Sequence, residues 1–417
     1  MKSFKINSLL KNILLLSTGT GIAQVIPMLA SIILARLYTN NDYGDLSLFT
    51  SVTGIVGVIA TLRYELTIIL PKKTNDARNL LALCLVNSLI IGLISAIIIV
   101  FLRLLFKNRG DILHFNWLYL VPIMVICTGI YNTFDNWFNR QREFKNMASL
   151  KVIQSTTTSS FRILLGFVGI TGGLIGGTVI GYIIVSFVNV GLFLKKNTLR
   201  CAYFPYKEMQ KLAVQYKDFS LYAAPGALLN SASIVGLPLL IAYFYSVKLA
   251  GIYFFANNLI RTPISLLTNA TAQVFKSEAV QFVHADQIEN LKTLIRKVQK
   301  MAFLIIFPVV LILSLFGNSI FSFLFGNQWG TSGDLIKYFG FVLLFGINFS
   351  IISALIDILR LQKFELFFNA SLLFSQCIIF IGCSFFLDFK YTLLINSLIV
   401  SFHFFFIDKY VKRKLRW

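Results

Sequence analysis

Apolar residues in this chain gather into long unbroken runs, separated by short clusters of charged and turn-forming residues. Strict alternation would mark half-buried strands, and a three-and-four spacing would mark amphipathic surface helices. Neither organises the sequence. A hydrocarbon layer about 30 Å thick is crossed by a helix of about 20 largely apolar residues. Runs of that length recur throughout and predict twelve spans, at 13–37, 46–70, 79–102, 117–138, 152–170, 174–194, 219–244, 250–275, 301–325, 335–359, 365–387 and 391–408. Only the Gly-rich stretch 171–177 divides the fifth from the sixth, and the polar run 156–160 lies inside the fifth. The expected fold is an all-α polytopic membrane protein of about twelve transmembrane helices.

Composition agrees with that pattern. Hydrophobic residues make up 57% of the 417 and charged residues 13%, against about 25% charged in soluble domains. The solvent for most of the chain is therefore lipid. A net charge of +21 raises nucleic acid as a partner, but no zinc pattern or recognition-helix pattern accompanies it. The basic residues instead punctuate the apolar runs, as they do in a membrane topology. Alternate short loops and the two tails carry 28 Lys and Arg, while the opposite loops carry six. Lys and Arg concentrate on the cytoplasmic side, so both termini are expected in the cytoplasm. Lys2, Lys5 and Lys11 precede an apolar run that continues to about Tyr38 without a cleavage site. It reads as a retained first span rather than a signal peptide. The cysteines, Cys84, Cys127, Cys201, Cys377 and Cys383, are scattered and form no CxxC pair, which points to neither a disulfide framework nor a metal site.

An internal echo runs through the chain. Tyr38, Thr39, Gly44 and Leu48 recur as Tyr245, Ser246, Gly251 and Phe255, at a constant offset of 207. Two six-helix bundles of equal orientation are expected, over 1–200 and 218–417, joined by a basic cytoplasmic linker at 201–217.

No GxxxxGK[ST] loop, HExxH or GxSxG motif is present, the loops are too short for a catalytic domain, and His114, His284 and His403 are far apart. The chain is not expected to be an enzyme or to need a cofactor. Ionisable residues inside spans carry more information, because each costs about 2.5 to 3.5 kcal/mol unless it faces a cavity or a partner. Arg63, Arg162 and Arg261 are of this kind. Arg162 lies 11 residues beyond Lys151, about 16 Å into its helix, in a stripe with Gln154, Thr158 and Gly166. Arg261 lies ten residues after Gly251 and 15 before Lys276, and shares a face with Asn258, Ser265 and Thr268. Pro263 beside it is expected to kink the helix. These arginines either glue helices and snorkel to an interface or line a water-filled cavity. The polar stripes around Arg162 and Arg261 favour the cavity.

A cavity with several guanidinium groups suits a phosphorylated anion, since the planar forks match phosphate oxygens two at a time. Thr20, Gln24, Pro27 and Ser31 form an uncharged stripe in the first span, open to sugar contact or to close packing. Arg63 and Glu65 are two residues apart, roughly 200° around an α-helix, so they are not expected to share one cavity. Glu65, Asp135 and Asp357, near span ends, are candidates for ion coupling or for pairing with loop lysines.

The stretches LARLYTNNDYGDLSLF, LRYELTIILPKK, AGIYFFANNLIRTPISLLTNATAQVF and LFGNQWGTSGDLIKYF resemble bacterial polysaccharide-unit (Wzx-type, O-antigen) flippases of the multidrug/oligosaccharidyl-lipid/polysaccharide exporter superfamily. That resemblance implies two six-helix bundles around a central, cationic cavity. It implies transport of an undecaprenyl-pyrophosphate-linked oligosaccharide, with membrane lipid, and polysaccharide polymerase and chain-length proteins, as partners.

Overall fold

The computed structural model of the chain describes residues 2–105, 116–196, 205–284, 287–358 and 362–414. They form helices almost throughout, with no strand among the described residues. The chain gathers into two compact units: Met1–Tyr38 with Asp45–Gly236, and Thr39–Gly44 with Leu237–Trp417.

The first unit is built from α1 (Lys2–Leu37), α2 (Asn40–Gly57) from its second turn onward, α3 (Thr74–Leu105), α4 (Val121–Arg140), α5 (Phe144–Phe167), α6 (Gly173–Lys196), α7 (Tyr206–Gln215) and α8 (Ala224–Val235). Helices α1 and α5 run parallel: Gly19 meets Ala148 and the Tyr38 ring meets Gly166. Helices α5 and α6 form a tight hairpin whose turn takes Gly169 and Gly172 through positive φ of 75° and 76°. Gly173, Gly177 and Gly181 recur every fourth residue along α6. A Cβ at Gly177 would lie 2.5 Å from the Arg162 backbone nitrogen, and one at Gly181 would collide with Thr158. Small residues at this spacing let two backbones approach closely where lipid supplies no hydrophobic drive for association.

The second unit is built from α9 (Leu237–Phe244), α10 (Val247–His284), α11 (Ile288–Phe325), α12 (Gly330–Ile358), α13 (Gln362–Cys383) and α14 (Phe389–Lys414), with the strap Thr39–Gly44 added from the start of α2. Ile295, Leu355, Phe368, Leu372, Val400 and Ile407 belong to one buried core. Around Phe255 a second, aromatic core forms: Trp329 lies 3.9 Å and Phe325 5.1 Å from its ring, and Tyr43 of the strap packs edge-on at 5.0 Å.

Among the described residues, seven helices are long and apolar enough to cross a membrane, or eight if the bent pair Phe219–Val235 and Leu237–Phe244 is one span. Two of the expected spans are interrupted partway along, again among the described residues. Segment 46–70 stops being α-helical after Gly57, turns through Leu62 and Arg63 at positive φ of 52° and 64°, and continues as a 3-10 helix, Tyr64–Ile69. Segment 219–244 opens with the π-turn Phe219–Ala223 and bends by 52° at Gly236. Pro238 lacks an N–H, and its ring would strike the preceding turn of a continuous helix. The fifth expected span, α5, falls outside the apolar set because it carries the polar run 155–160 and Arg162.

The sequence echo has a local structural counterpart. Thr39 and Ser246 both cap the helix that follows, accepting from the backbone N–H of Asp42 at 3.3 Å and of Leu249 at 3.2 Å. Tyr38 and Tyr245 both hydrogen-bond to a later helical hairpin, through the Arg162 carbonyl at 2.7 Å and through Thr392 and the Leu387 carbonyl, the latter at 3.2 Å. The division between the compact units falls at Gly236, beyond the basic linker.

Candidate functional site

Three groups of polar residues among the described ones contain the arginines singled out by the sequence or lie beside them. In the first, α5 and α6 are stitched together by Arg162. Its Nε donates to the Leu174 carbonyl at 3.2 Å and to Thr178 Oγ1 at 3.1 Å, and its Nη2 donates to the same hydroxyl at 2.7 Å. The phenol of Tyr38 holds the Arg162 carbonyl. Thr158 and Arg162 both face the glycine row of α6. The Thr158 hydroxyl and the Gln24 amide oxygen are buried without a hydrogen-bond partner. One residue beyond Gly19, Thr20 accepts from Lys151 Nζ at 3.3 Å. Lys151 also lies close enough to Asp135 of α4 to act on it electrostatically, and the rings of Tyr131 and Tyr182 stand 6.3 Å apart nearby.

The second group occupies the interrupted segment after α2. Arg63 Nη1 lies 3.2 Å from Glu65, whose side chain is only 3% exposed, and the Thr61 hydroxyl donates to the same carboxylate. The 200° separation expected of this pair applies to an α-helix. The left-handed turn at Leu62 and Arg63 removes that geometry and brings the two charges together. Breaking the helix here gives both charges partners, whereas an isolated buried charge is far more costly. Arg140 Nη1 closes the far end by donating to the carbonyls of Ile68 and Ile69, each at 3.1 Å.

The third group lies on α10. Ile252, Phe255, Ala256 and Ile260 are buried in the second unit, while Asn258 and Arg261 are exposed and Ser265 is half-buried. Thr262 donates to the Asn258 carbonyl at 2.7 Å, and Ser265 donates to the Thr262 carbonyl at 2.8 Å. These bonds keep the hydroxyls on their own helix. Pro263 leaves the Leu259 carbonyl without its helical donor. Arg162 therefore belongs to the first unit and Arg261 to the second. The side chains of Asp357 and Thr268 lie outside the described ones, as do residues His114 and Cys201.

Sequence reasoning found the arginines but missed Thr178, which receives two of the Arg162 bonds. The glycine row of α6 was the available signal, since it forces α5 against the residues between the glycines. Among the described residues no group of three or more His, Cys, Asp or Glu is placed to hold a metal ion. An exposed guanidinium and amide on a membrane-length helix can bind an anion through charge-assisted hydrogen bonds.

Comparison with known proteins adds the following. The family described as "Polysaccharide biosynthesis protein" matches residues 33–334. None of the curated proteins matches in sequence. Among solved structures, the chain is similar to the lipid II flippase MurJ in an inward closed conformation, with a TM-score of 0.76, 14% identity, and coverage of 96% of this chain and 87% of that one. It is also similar to an inward-facing multidrug resistance MATE family transporter of the MOP superfamily, with a TM-score of 0.70, 17% identity, and coverage of 96% and 94%. A MOP superfamily transporter from Pyrococcus furiosus, described as having a binding pocket of reversed polarity, is similar with a TM-score of 0.64, 16% identity, and coverage of 97% and 96%.

Proposed function

This chain belongs to the polysaccharide biosynthesis protein family, and from that premise we propose that it is a transporter, not an enzyme, that carries an anionic lipid-linked oligosaccharide across a membrane for assembly into a surface polysaccharide. The substrate in this reading is an undecaprenyl-pyrophosphate-linked repeat unit, such as an O-antigen unit. It is turned over from the inner to the outer leaflet of the bacterial cytoplasmic membrane, with both termini of the protein in the cytoplasm. Membrane lipid surrounds the path, and the polymerase and chain-length proteins that consume the exported unit are its expected partners.

The observation that carries the reading is the exposed Arg261 and Asn258 face of α10. Facing hydrocarbon, that arginine would cost about 2.5 to 3.5 kcal/mol. Facing a water-filled path, it is a fixed positive fork for a pyrophosphate. Asn258 and Ser265 then offer neutral polar groups beside it, whereas the buried hydroxyl of Thr158 faces the glycine row of α6. Arg162 acts in this account first as a positioning residue, because its guanidinium already grips α6. Arg63 is held by Glu65 and is not a ready fork. Pairing of Glu65 with Arg63 supports a structural role for Glu65 over ion coupling. Movement is by alternating access, in which a binding site opens to one side of the membrane at a time.

The test is the leaflet on which the glycolipid accumulates. Cells lacking the protein should accumulate a short lipid-linked unit on the inner leaflet, Arg261→Ala should reproduce that defect at normal membrane abundance, and Arg261→Lys should export partially. Normal export by a normally abundant Arg261→Ala protein overturns the reading.

A further inference from the structure

Gly44 and Gly251 stand at the repeat offset of 207, and so do Asn40 and Val247. In the folded chain these four residues meet reciprocally. A Cβ added at Gly44 would collide with the Val247 carbonyl, and one added at Gly251 would collide with the Asn40 carbonyl and the Gly44 nitrogen. Each glycine thus meets the residue four before the other, and all four lie in the second compact unit. Neither position tolerates a side chain, and a helical glycine is retained here although it destabilises a helix by about 0.5–1 kcal/mol relative to alanine.

The strap that brings Gly44 to this crossing is well seated. Tyr43 packs edge-on against Phe255 at 5.0 Å and against Trp329 at 4.9 Å, and Trp329 is fully buried. Asn40 Nδ2 donates to the Gln328 carbonyl at 3.3 Å. Yet α2 is one continuous helix, Asn40–Gly57, whose residues up to Gly44 belong to the second compact unit while those from Asp45 onward belong to the first. A rigid helix shared in this way must bend somewhere if the units move. Sharp helix bends arise at glycine among few other causes.

We propose that the Gly44–Gly251 crossing is a fixed pivot: the strap Thr39–Gly44 stays seated in the second unit through the whole conformational cycle, and α2 flexes at Gly44–Asp45. The existence of such a cycle rests on the transport reading. The seating of the strap does not. With native cysteines removed, Asn40→Cys and Gln328→Cys receive spin labels, and the protein is placed in nanodiscs with and without undecaprenyl pyrophosphate. One narrow label distance, unchanged by the probe, is expected. Two populations, or a shift of a helical turn of about 5.4 Å, overturns the pivot. A second readout joins the same two cysteines with a short reducible linker in cells. Cross-linked protein should export glycan as fast as the reduced protein, whereas a tenfold loss that reduction restores would show that the strap must move. If the reduced parent exports nothing, the transport reading has failed, and the label distances still decide the pivot.

Discussion

Replacing Thr178 with valine removes one hydroxyl from the α5–α6 seam and leaves the shape almost unchanged. That hydroxyl is 4% exposed at the residue level and accepts from two Arg162 donors, at 3.1 and 2.7 Å. Side-chain hydrogen bonds between membrane helices average about 0.6 kcal/mol each, with a maximum near 1.7. Two of them give a loss of about 1–3 kcal/mol, and the upper half of that range applies because the donor is charged. The Leu174 carbonyl at 3.2 Å still holds Nε, so the loss falls short of that for leaving a buried charge wholly unpaired. Thr178→Ser keeps the hydroxyl and serves as the control. Reversible unfolding in a fixed lipid or detergent composition reads the difference. Thr178→Val should shift the equilibrium by about tenfold for each 1.4 kcal/mol, and Thr178→Ser should stay close to the parent. If valine and serine behave alike, Arg162 does not rely on this hydroxyl, and its assignment as the stitch between α5 and α6 is wrong.

Three further outcomes follow from the same contacts. A double-mutant cycle of Arg63→Met with Glu65→Gln should return a coupling of at least about 1 kcal/mol, because removing one partner of a buried pair is strongly destabilising. Additive losses in unfolding measurements would mean the pair is not formed. Gly177→Leu should lower the amount of folded protein in the membrane, since even a Cβ would lie 2.5 Å from the Arg162 nitrogen, while Gly191→Leu, which meets nothing nearby, should express normally. Reporter fusions after 110, 172, 248 and 330 should read periplasmic and those after 75, 145, 205 and 290 cytoplasmic, and a cytoplasmic signal at 330 would contradict the orientation drawn from the charge asymmetry.

The helical, membrane-crossing character of the chain was legible because its signal is additive: the many apolar residues of each run outweigh any one exception. Breaks within runs were less legible. Segment 46–70 contains no proline before Pro71, and its departure from the helix depends on Leu62 and Arg63 adopting left-handed backbone. Such a turn is settled by what Arg63 and Glu65 gain from meeting, which no periodicity records. The bend at Gly236 was closer to the surface of the sequence, because Gly236 and Pro238 lie two residues apart. For the candidate site, the expense of charge in lipid singled out Arg162 and Arg261 from their positions alone. Their surroundings differ for a reason of packing: α5 is pressed against a glycine row and hands its arginine to Thr178, whereas the apolar face of α10 is taken up by Trp329 and Phe325, which leaves Arg261 on the outside. The echo was visible as four matched residues, but the contact of Gly44 with Gly251 depends on how the chain folds back on itself, which no offset records.

The central claim is that this protein moves a phosphorylated lipid-linked oligosaccharide and that Arg261 holds its headgroup. Purified protein in vesicles loaded with a fluorescent undecaprenyl-pyrophosphate-linked oligosaccharide tests it most directly, with exposure of the glycan on the far leaflet read by a membrane-impermeant glycosidase. The account predicts far-leaflet exposure with the parent protein, about the level of protein-free vesicles with Arg261→Ala, and an intermediate rate with Arg261→Lys. Equal rates for the parent and Arg261→Ala, or no exposure above protein-free vesicles with either, would contradict it.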